Sequence, residues 1–491
     1  MSDLTLFDSH VHLGAPHYRD DLDQVIERAR AAGVDQMVVI GAGYGLEGCQ
    51  RAIELARSHE GLYAVVGIHP HEAGDVAPGD LDRIVRMTAE PEVLAWGEIG
   101  LDFFRDWSPR EAQRQVFRDQ IRLARGLDLP IVIHSRAAED ESLAILDEER
   151  AWDGRVLIHC FSHDWEFARR VLERGGYLSV PGVVTYKNAR ELRDAIPRLP
   201  NESLLLETDG PFLAPVPRRG KRNEPALLVH TAREVARLKG LALRDVARAS
   251  TRAAREFYGL DRGEEREGAI AYQIRDSIYL NLTNRCTLHC SFCHKFRDWS
   301  VAGHYLNLRG YRPSVEDVVL AARLAVTDHA ATRLDVDRAR TAGQPGADLD
   351  GVAEVAFVGY GEPTQRLDVV LEAARRLREH EGVGRLRLDT DGLTDLREGR
   401  DVVPQLAAAF DAITVSINAA DGPTYAELCR SPHGERGWET ALAFLERCVD
   451  AGIPWVQGSV VGVPGLDIEA CAERIEATGA RFRERVHHVM G

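Results

Sequence analysis

Short apolar, β-rich runs alternate with amphipathic helical stretches along the chain from its first residues. The strand-like runs are LTLFDSH (residues 4–10), QMVVI (36–40), YAVVGIHP (63–70), VLAWGEIG (93–100), PIVIHS (130–135), RVLIHC (155–160), YLSV (177–180) and LLLETD (204–209). Each is followed by a stretch with helical spacing of its apolar positions. Eight such units over about 250 residues predict a closed (β/α)8 barrel of the TIM type. One helix start is signed locally: Ser108 as the cap, Pro109 in the first turn and Glu111 completing a capping box.

Around Asp261–Gly268 the sequence becomes DRGEEREG, charged and without apolar periodicity. We place a linker at 261–270, between a first domain at 1–260 and a second at 271–489. The alternation then restarts with SIYLNLT (277–283), AEVAFVGYGEP (353–363), RLRLDTDG (385–392), AITVSINA (412–419) and WVQGSVVGV (455–463). Helical stretches separate these runs, so the fold class is α/β with two consecutive barrels, the second partial. Residues 328–350 show no clear strand and are expected to form an insertion or lid. There is no internal repeat and no low-complexity tract.

A chain of 491 residues suits two domains, each large enough to bury a core without disulfides or a structural metal. No apolar run is long enough to cross a bilayer, and residues 1–15 lack the pattern of a signal peptide. The expectation is a cytoplasmic protein with no membrane partner. The net charge of -16 disfavours non-specific coating of DNA. Arg218, Arg219, Lys221 and Arg222 are either a local basic lip or a solvated loop. Of the 8 cysteines, Cys286, Cys290 and Cys293 share one octapeptide and the rest are scattered, which argues for metal or redox chemistry rather than a disulfide framework.

Metal-competent residues mark the ends of five of the first eight runs. Run one gives His10 and His12, run four Glu98, run five His134, run six His159 and run eight Asp209. In such barrels the strand ends form one mouth. Four imidazoles and two carboxylates exceed the needs of one catalytic ion. They suit two divalent ions (Zn, Mn or Mg) about 3.5–4 Å apart, bridged by one carboxylate, a pair that acidifies bound water and clamps a phosphodiester.

The strings DSHVH, VGIHPH, GEIGLDF, PIVIHSR, LIHCFS, LLLETDGPFLAP and RGKRNEP resemble the successive motifs of TatD-type metal-dependent deoxyribonucleases, from residue 1 to about 260. The resemblance implies that Glu98 bridges, that His10, His12 and Asp209 complete one metal site, and that His134 and His159 complete the other. It further implies catalytic roles for Asp209, which would take a proton from the attacking water, for Glu98, and for His69, which would contact the scissile phosphate. It makes single-stranded DNA or another nucleic acid the expected partner, with 3'-5' exonuclease-like ester hydrolysis. Two positions depart from the pattern: His163 replaces a small residue, and Gly210 follows Asp209 where alanine is common.

The second domain opens with CTLHCSFC, which places Cys286, Cys290 and Cys293 in one loop after a strand. Zinc ribbons use two spaced pairs, and no second pair is visible. Three thiolates would leave one iron of a [4Fe–4S] cluster without a protein ligand, free to chelate S-adenosylmethionine and cleave it reductively. This spacing, with Phe292 before the last cysteine, resembles the radical S-adenosylmethionine superfamily and its TatD-associated subgroup over roughly 270–489, in which the fold is a partial (β/α)6 barrel. GYGEPT at 359–364 resembles that superfamily's GGEP-like strand end, which implies cofactor binding by Gly361, Glu362 and Pro363. TDG at 390–392, SIN with Ser416, and SVVGVPGLD match further strand ends lining the site. An electron donor is an implied partner. Cys429, Cys448 and Cys471 read as ordinary buried thiols; His294 and the His487–His488 pair read as surface residues.

The leading reading is thus a bifunctional enzyme. Two alternatives stand beside it: a small-molecule amidohydrolase or esterase barrel with a radical domain acting on a related substrate, and an iron–sulfur module that senses redox state and regulates the hydrolase.

Overall fold

The computed structural model describes residues 4–105, 107–261, 266–296, 299–349, 351–379 and 383–486. His487 and His488 lie outside these, as does the side chain of His294. The chain forms two compact units, 1–264 and 265–489.

In the first unit eight strands follow one another around a parallel sheet in sequence order: β1 (Leu6–Val11), β2 (Val34–Ile40), β3 (Leu62–Val66), β4 (Val93–Asp102), β5 (Ile131–Arg136), β6 (Val156–Ile158), β7 (Tyr177–Val180) and β8 (Leu204–Leu206). Helices cover the outer face and side chains fill the inner one, which is why the strands read as nearly unbroken apolar runs. Phe7, Val38, Val65, Ala95, Val132, Leu157 and Leu205 fill the interior, plugged by Ala253, Phe257 and Tyr258 of the helix Leu243–Tyr258. Phe7 stacks between Tyr63 and Tyr258, with ring centroids 6.4 and 6.0 Å away. The seam between β1 and β8 is closed largely by side chains. Ser9 Oγ donates to Leu206 O (2.9 Å), and Asp8 accepts from Thr208 N (2.9 Å) and Thr208 Oγ1 (2.5 Å). Burial pushes the Asp8 carboxyl up to about 7 against those hydrogen bonds.

The signed helix start differs in detail. The helix is Arg110–Gly126, Pro109 is its N-cap, and no side chain caps it. Ser108 Oγ is buried without a hydrogen-bond partner among the described residues. Gln113 performs the anchoring instead: Nε2 donates to Ser108 O (3.0 Å) and Asp102 O (3.2 Å), and Oε1 accepts from Asp102 N (2.8 Å).

The second unit is built on a mixed sheet. Its strands are β9 (Ala271–Ile274), β10 (Ser277–Asn281), the two-stranded hairpin β11 (Ser300–Val301) and β12 (His304–Tyr305), β13 (Ala330–Ala331), β14 (Glu354–Val358), β15 (Leu386–Thr390), β16 (Ala412–Ser416), β17 (Trp455–Gly462) and β18 (Arg481–Val486). The order in the sheet is β13-β9-β10-β14-β15-β16-β17-β18. The run from β10 through β18 is parallel and forms the partial barrel, while β9 and β13 add antiparallel strands at one edge. The segment 328–350 is not strandless: it holds β13 and the helix Arg333–Ala342, started by a capping box between Thr332 and Asp335. Two alanines are too short a run to register as a strand by pattern.

Candidate active sites

At the mouth of the first unit, Glu98 sits where the pairing of β4 with β5 slips: Gly97 faces Val132 and Ile99 faces Ile133, so Glu98 is the extra residue of a bulge. Bulges re-aim side chains, and this one puts a buried carboxylate amid five imidazoles. Its two oxygens divide them. Oε2 lies 3.4 Å from His10 Nε2 and 3.9 Å from His12 Nε2. Oε1 lies 2.7 Å from His134 Nδ1, 2.7 Å from His159 Nε2 and 3.5 Å from His69 Nε2. Asp209 Oδ1 joins the first set, 3.3 Å from His12 Nε2 and 3.8 Å from His10 Nε2. Asp209 holds a left-handed backbone (φ 52°), and its N–H donates to His10 O (2.9 Å), so the chain after β8 is tied across to β1.

Electrostatics in the cluster follow from burial and mutual charge. Burial works to raise the Glu98 carboxyl, but His159, His69, His10 and His134 outweigh it and hold it well below the usual range. Burial lowers His69 to about 4 and, with His159 beside it, lowers His10. Burial opposes protonation of His159, yet Glu98 and Glu207 raise it well above the ordinary imidazole value.

Several buried nitrogens here, His10 Nδ1 and Nε2, His12 Nδ1 and His159 Nδ1, make no hydrogen bond, although buried polar atoms are normally satisfied. Three groups have ligand atoms within 4.8 Å of one another: His10, His12 and Asp209; His10, His159 and Glu207; His69, Glu98 and His134. Imidazole nitrogens and carboxylate oxygens at this spacing fit divalent ions such as Zn²⁺ or Mn²⁺.

Two carboxylates at this site were not singled out from sequence. Asp102, fully buried at the end of β4, places Oδ2 2.9 Å from His71 Nε2 and 3.2 Å from His134 Nε2. Its Oδ1 accepts from Phe104 N and Arg105 N, both 2.9 Å. Glu207 is buried beside His159 Nδ1 (3.7 Å) and accepts from Ser179 Oγ. Both departures from the family pattern have an account. His163 packs on Phe167 (4.9 Å) with Nε2 3.5 Å from Glu139, and it belongs to none of the three ligand groups. A Cβ at Gly210 would meet Tyr18 Oη at 2.6 Å, and that hydroxyl donates to Asn223 O (2.6 Å), so alanine has no room here.

In the basic segment, Arg222 is committed to Asp21 (2.7 Å) and lies over Tyr18, and Arg219 lies over Tyr186 (4.2 Å).

In the second unit, Cys286, Cys290 and Cys293 are half-buried in the loop after β10. The helix Gly422–Cys429 abuts that loop: His289 N donates to Cys429 O (3.1 Å) and Ser291 N to Leu428 O (2.8 Å). Cys429, Cys448 and Cys471 are all buried, and the Cys429 thiol close to Cys290, together with burial, raises the Cys290 thiol. Burial pushes Cys286 up to about 12, partly opposed by Lys295.

Glu362 is buried and nearly saturated. Oε1 accepts from Thr364 N (3.0 Å), Thr364 Oγ1 (2.6 Å) and Thr390 Oγ1 (2.9 Å), and Oε2 from Asp391 N (2.7 Å). Burial, then the neighbouring Asp391, push its carboxyl up. Gly361 is needed for close approach, since a Cβ would meet Thr283 O at 2.2 Å and Arg285 O at 2.6 Å. Pro363 opens the short turn Pro363–Arg366. Ser416 Oγ accepts from Arg485 Nη2 (3.2 Å), a residue on β18 that the sequence did not flag. Among the described residues, Arg485 Nε and Asp391 Oδ2 are buried without hydrogen-bond partners. Three thiols in one loop, with Asp391 acting electrostatically on Cys286 and Arg485 on Cys290, fit an iron–sulfur cluster with a zwitterionic ligand.

Comparison with known proteins agrees with this division. The TatD related DNase family matches residues 7–259 and the Radical SAM superfamily matches residues 280–477. An uncharacterized metal-dependent hydrolase, YabD of Bacillus subtilis, is 41% identical over 256 residues, 52% of this chain and 100% of that protein. A 3'-5' ssDNA/RNA exonuclease, TatD of Cronobacter turicensis, is 39% identical over 236 residues, 47% of this chain and 89% of that protein. Among solved structures, YJJV, a TatD homolog from Escherichia coli K12, is 29% identical with a TM-score of 0.49, covering 52% of this chain and 98% of its own.

Proposed function

We propose that this chain, which belongs to the TatD related DNase family through residues 7–259 and carries a radical SAM domain over residues 280–477, is a bifunctional enzyme. The first unit would hydrolyse phosphodiester bonds of single-stranded nucleic acid in the 3'-5' direction, and the second would carry out radical S-adenosylmethionine chemistry. The observation that carries the first half is the partition around Glu98: one oxygen toward His10 and His12, the other toward His134 and His159.

A pair of divalent ions, when bound, supplies Lewis acidity and a more acidic water. The chain's own residues do the rest. Glu98 holds the two imidazole sets at a fixed spacing. Asp209, beside His12, is the base for the attacking water's proton. His69, neutral at pH 7 because burial lowers it to about 4, offers an N–H to a phosphate oxygen. In the second unit Cys286, Cys290 and Cys293 would hold a [4Fe–4S] cluster, which when loaded supplies the electron for reductive cleavage of the sulfonium. Glu362, whose Oε2 accepts only one hydrogen bond among the described residues, from Asp391 N, would accept from the ligand's ammonium.

The test is digestion of single-stranded DNA with Mg²⁺, Mn²⁺ and Zn²⁺ separately, wild type against Asp209→Asn. Loss of a base and ligand should lower kcat by about 10²-fold or more; undiminished cleavage by the variant would refute the assignment. For the second unit, Cys290→Ala should abolish release of 5′-deoxyadenosine by the reduced protein, and persistence of that product would refute it.

A further inference from the structure

We propose that the loop after β4 carries a base-stacking wall beside the hydrolytic site, a subsite for the unstacked nucleobases of a single strand. The proposal rests on the phosphodiesterase reading above and names what recognises the substrate's bases. The wall is built from Phe104 and Trp107, the two most exposed large hydrophobic side chains among the described residues, at 61% and 67%. Exposed aromatics in one loop are a mark of a binding surface, because a soluble protein otherwise covers them.

Cations hold these rings in a row. Arg136, at the end of β5, places Cζ 4.1 Å over Phe104. Arg105 lies between the two rings, 5.6 Å from Phe104 and 5.5 Å from Trp107. Trp107 in turn lies 4.5 Å from the ring of His71, which is 4.3 Å from His69. The row therefore starts at the candidate phosphate contact and runs outward. It is also anchored to the site by Asp102, whose Oδ1 fixes the backbone of Phe104 and Arg105 while Oδ2 meets His71 and His134. Across the mouth, Phe212 is 45% exposed and edge-on to His12 at 6.0 Å.

Alternating aromatic faces and guanidinium groups suit a strand whose bases and phosphates alternate in the same way. Every base offers a π-face, so such a wall binds without reading sequence, and a duplex, whose bases are already stacked inward, cannot use it. With a net charge of -16, the chain has no broad electrostatic hold on DNA, so local stacking must carry a large part of the affinity.

The experiment measures binding by fluorescence anisotropy of a labelled single-stranded oligonucleotide and of the same backbone with abasic units, in Ca²⁺ to suppress hydrolysis. Wild type should bind the base-bearing strand about five- to hundredfold tighter than the abasic one, the worth of one stacked base or more. The Phe104→Ala, Trp107→Ala double variant should bring that ratio toward one, while Trp107→Phe keeps most of it. An unchanged ratio in the double variant overturns the wall, and so does an equal loss in Trp107→Phe and Trp107→Ala, which would indicate a disturbed loop. Equal affinity of wild type for both strands removes the wall and leaves the hydrolytic reading in place; binding of neither removes both.

Discussion

Asp102→Asn isolates a carboxylate that lies behind His71 and His134 and should govern metal binding through them. Its Oδ1 accepts two backbone N–H groups, from Phe104 and Arg105 at 2.9 Å each, so asparagine must keep its carbonyl oxygen there. The amide NH₂ then replaces Oδ2, facing His71 Nε2 and His134 Nε2. A donor now points at nitrogens that had donated to a carboxylate. His134 should answer by moving its proton to Nδ1, the nitrogen 2.7 Å from Glu98 that, in the proposed site, would present a lone pair to a metal. Removing such an outer partner costs about 10–100-fold in metal affinity, or about 1.4–2.8 kcal/mol. Isothermal titration of Zn²⁺ or Mn²⁺ into the metal-free full chain measures this directly. The half-saturating Mn²⁺ for phosphodiester hydrolysis should rise in parallel. An unchanged metal affinity in a folded Asp102→Asn protein would refute the tautomer argument.

Two further outcomes follow from packing and charge. Gly210→Ala should destabilise the first unit by about 1–3 kcal/mol through overpacking against Tyr18; a double-mutant cycle with Tyr18→Phe should recover part of that loss, and strict additivity would contradict it. Lys239 Nζ donates to Ile196 O (3.2 Å) and Leu199 O, and burial lowers it to about 8. Its folded pKa lies below its unfolded value of about 10.4, so the cost of burying the ammonium is full below pH 8 and fades as pH rises toward that value. Wild type should therefore gain stability over that window relative to Lys239→Met, and parallel melting curves would argue against it.

The eight strands of the first unit are legible because parallel strands buried on both faces show as apolar runs, and five of those runs end in polar residues proposed for the mouth. That same rule located His10, His12, Glu98, His134, His159 and Asp209. It could not find the bulge at Glu98, which depends on the register with β5, nor Asp102, which reads as the first residue of a loop. Glu207 sits two residues before Asp209 and is masked by it. Ser108 and Glu111 have capping spacing and so point to a helix start ahead of Arg110, whereas the anchoring group, Gln113, lies inside the helix and bonds backward. In the second unit β18 was missed because RFRERV is too charged to look like a strand; an edge strand needs few apolar residues. Arg485 was lost with it.

The open second sheet leaves β18 as its last strand, with one row of backbone groups unpaired by any described strand. Such an edge is a template on which another chain can add a strand, the first step toward insoluble assemblies. The opposite margin is protected by brevity, since β13 has only two residues. β18 is longer, and its protection is charge: Arg481, Arg483 and Glu484 are exposed along it. An incoming strand would have to strip water from guanidinium groups to pair there. Residues outside both candidate sites thus guard the open edge against strand addition, and a variant made uniformly β-branched at 481 and 483 should trade that protection for a better-looking strand.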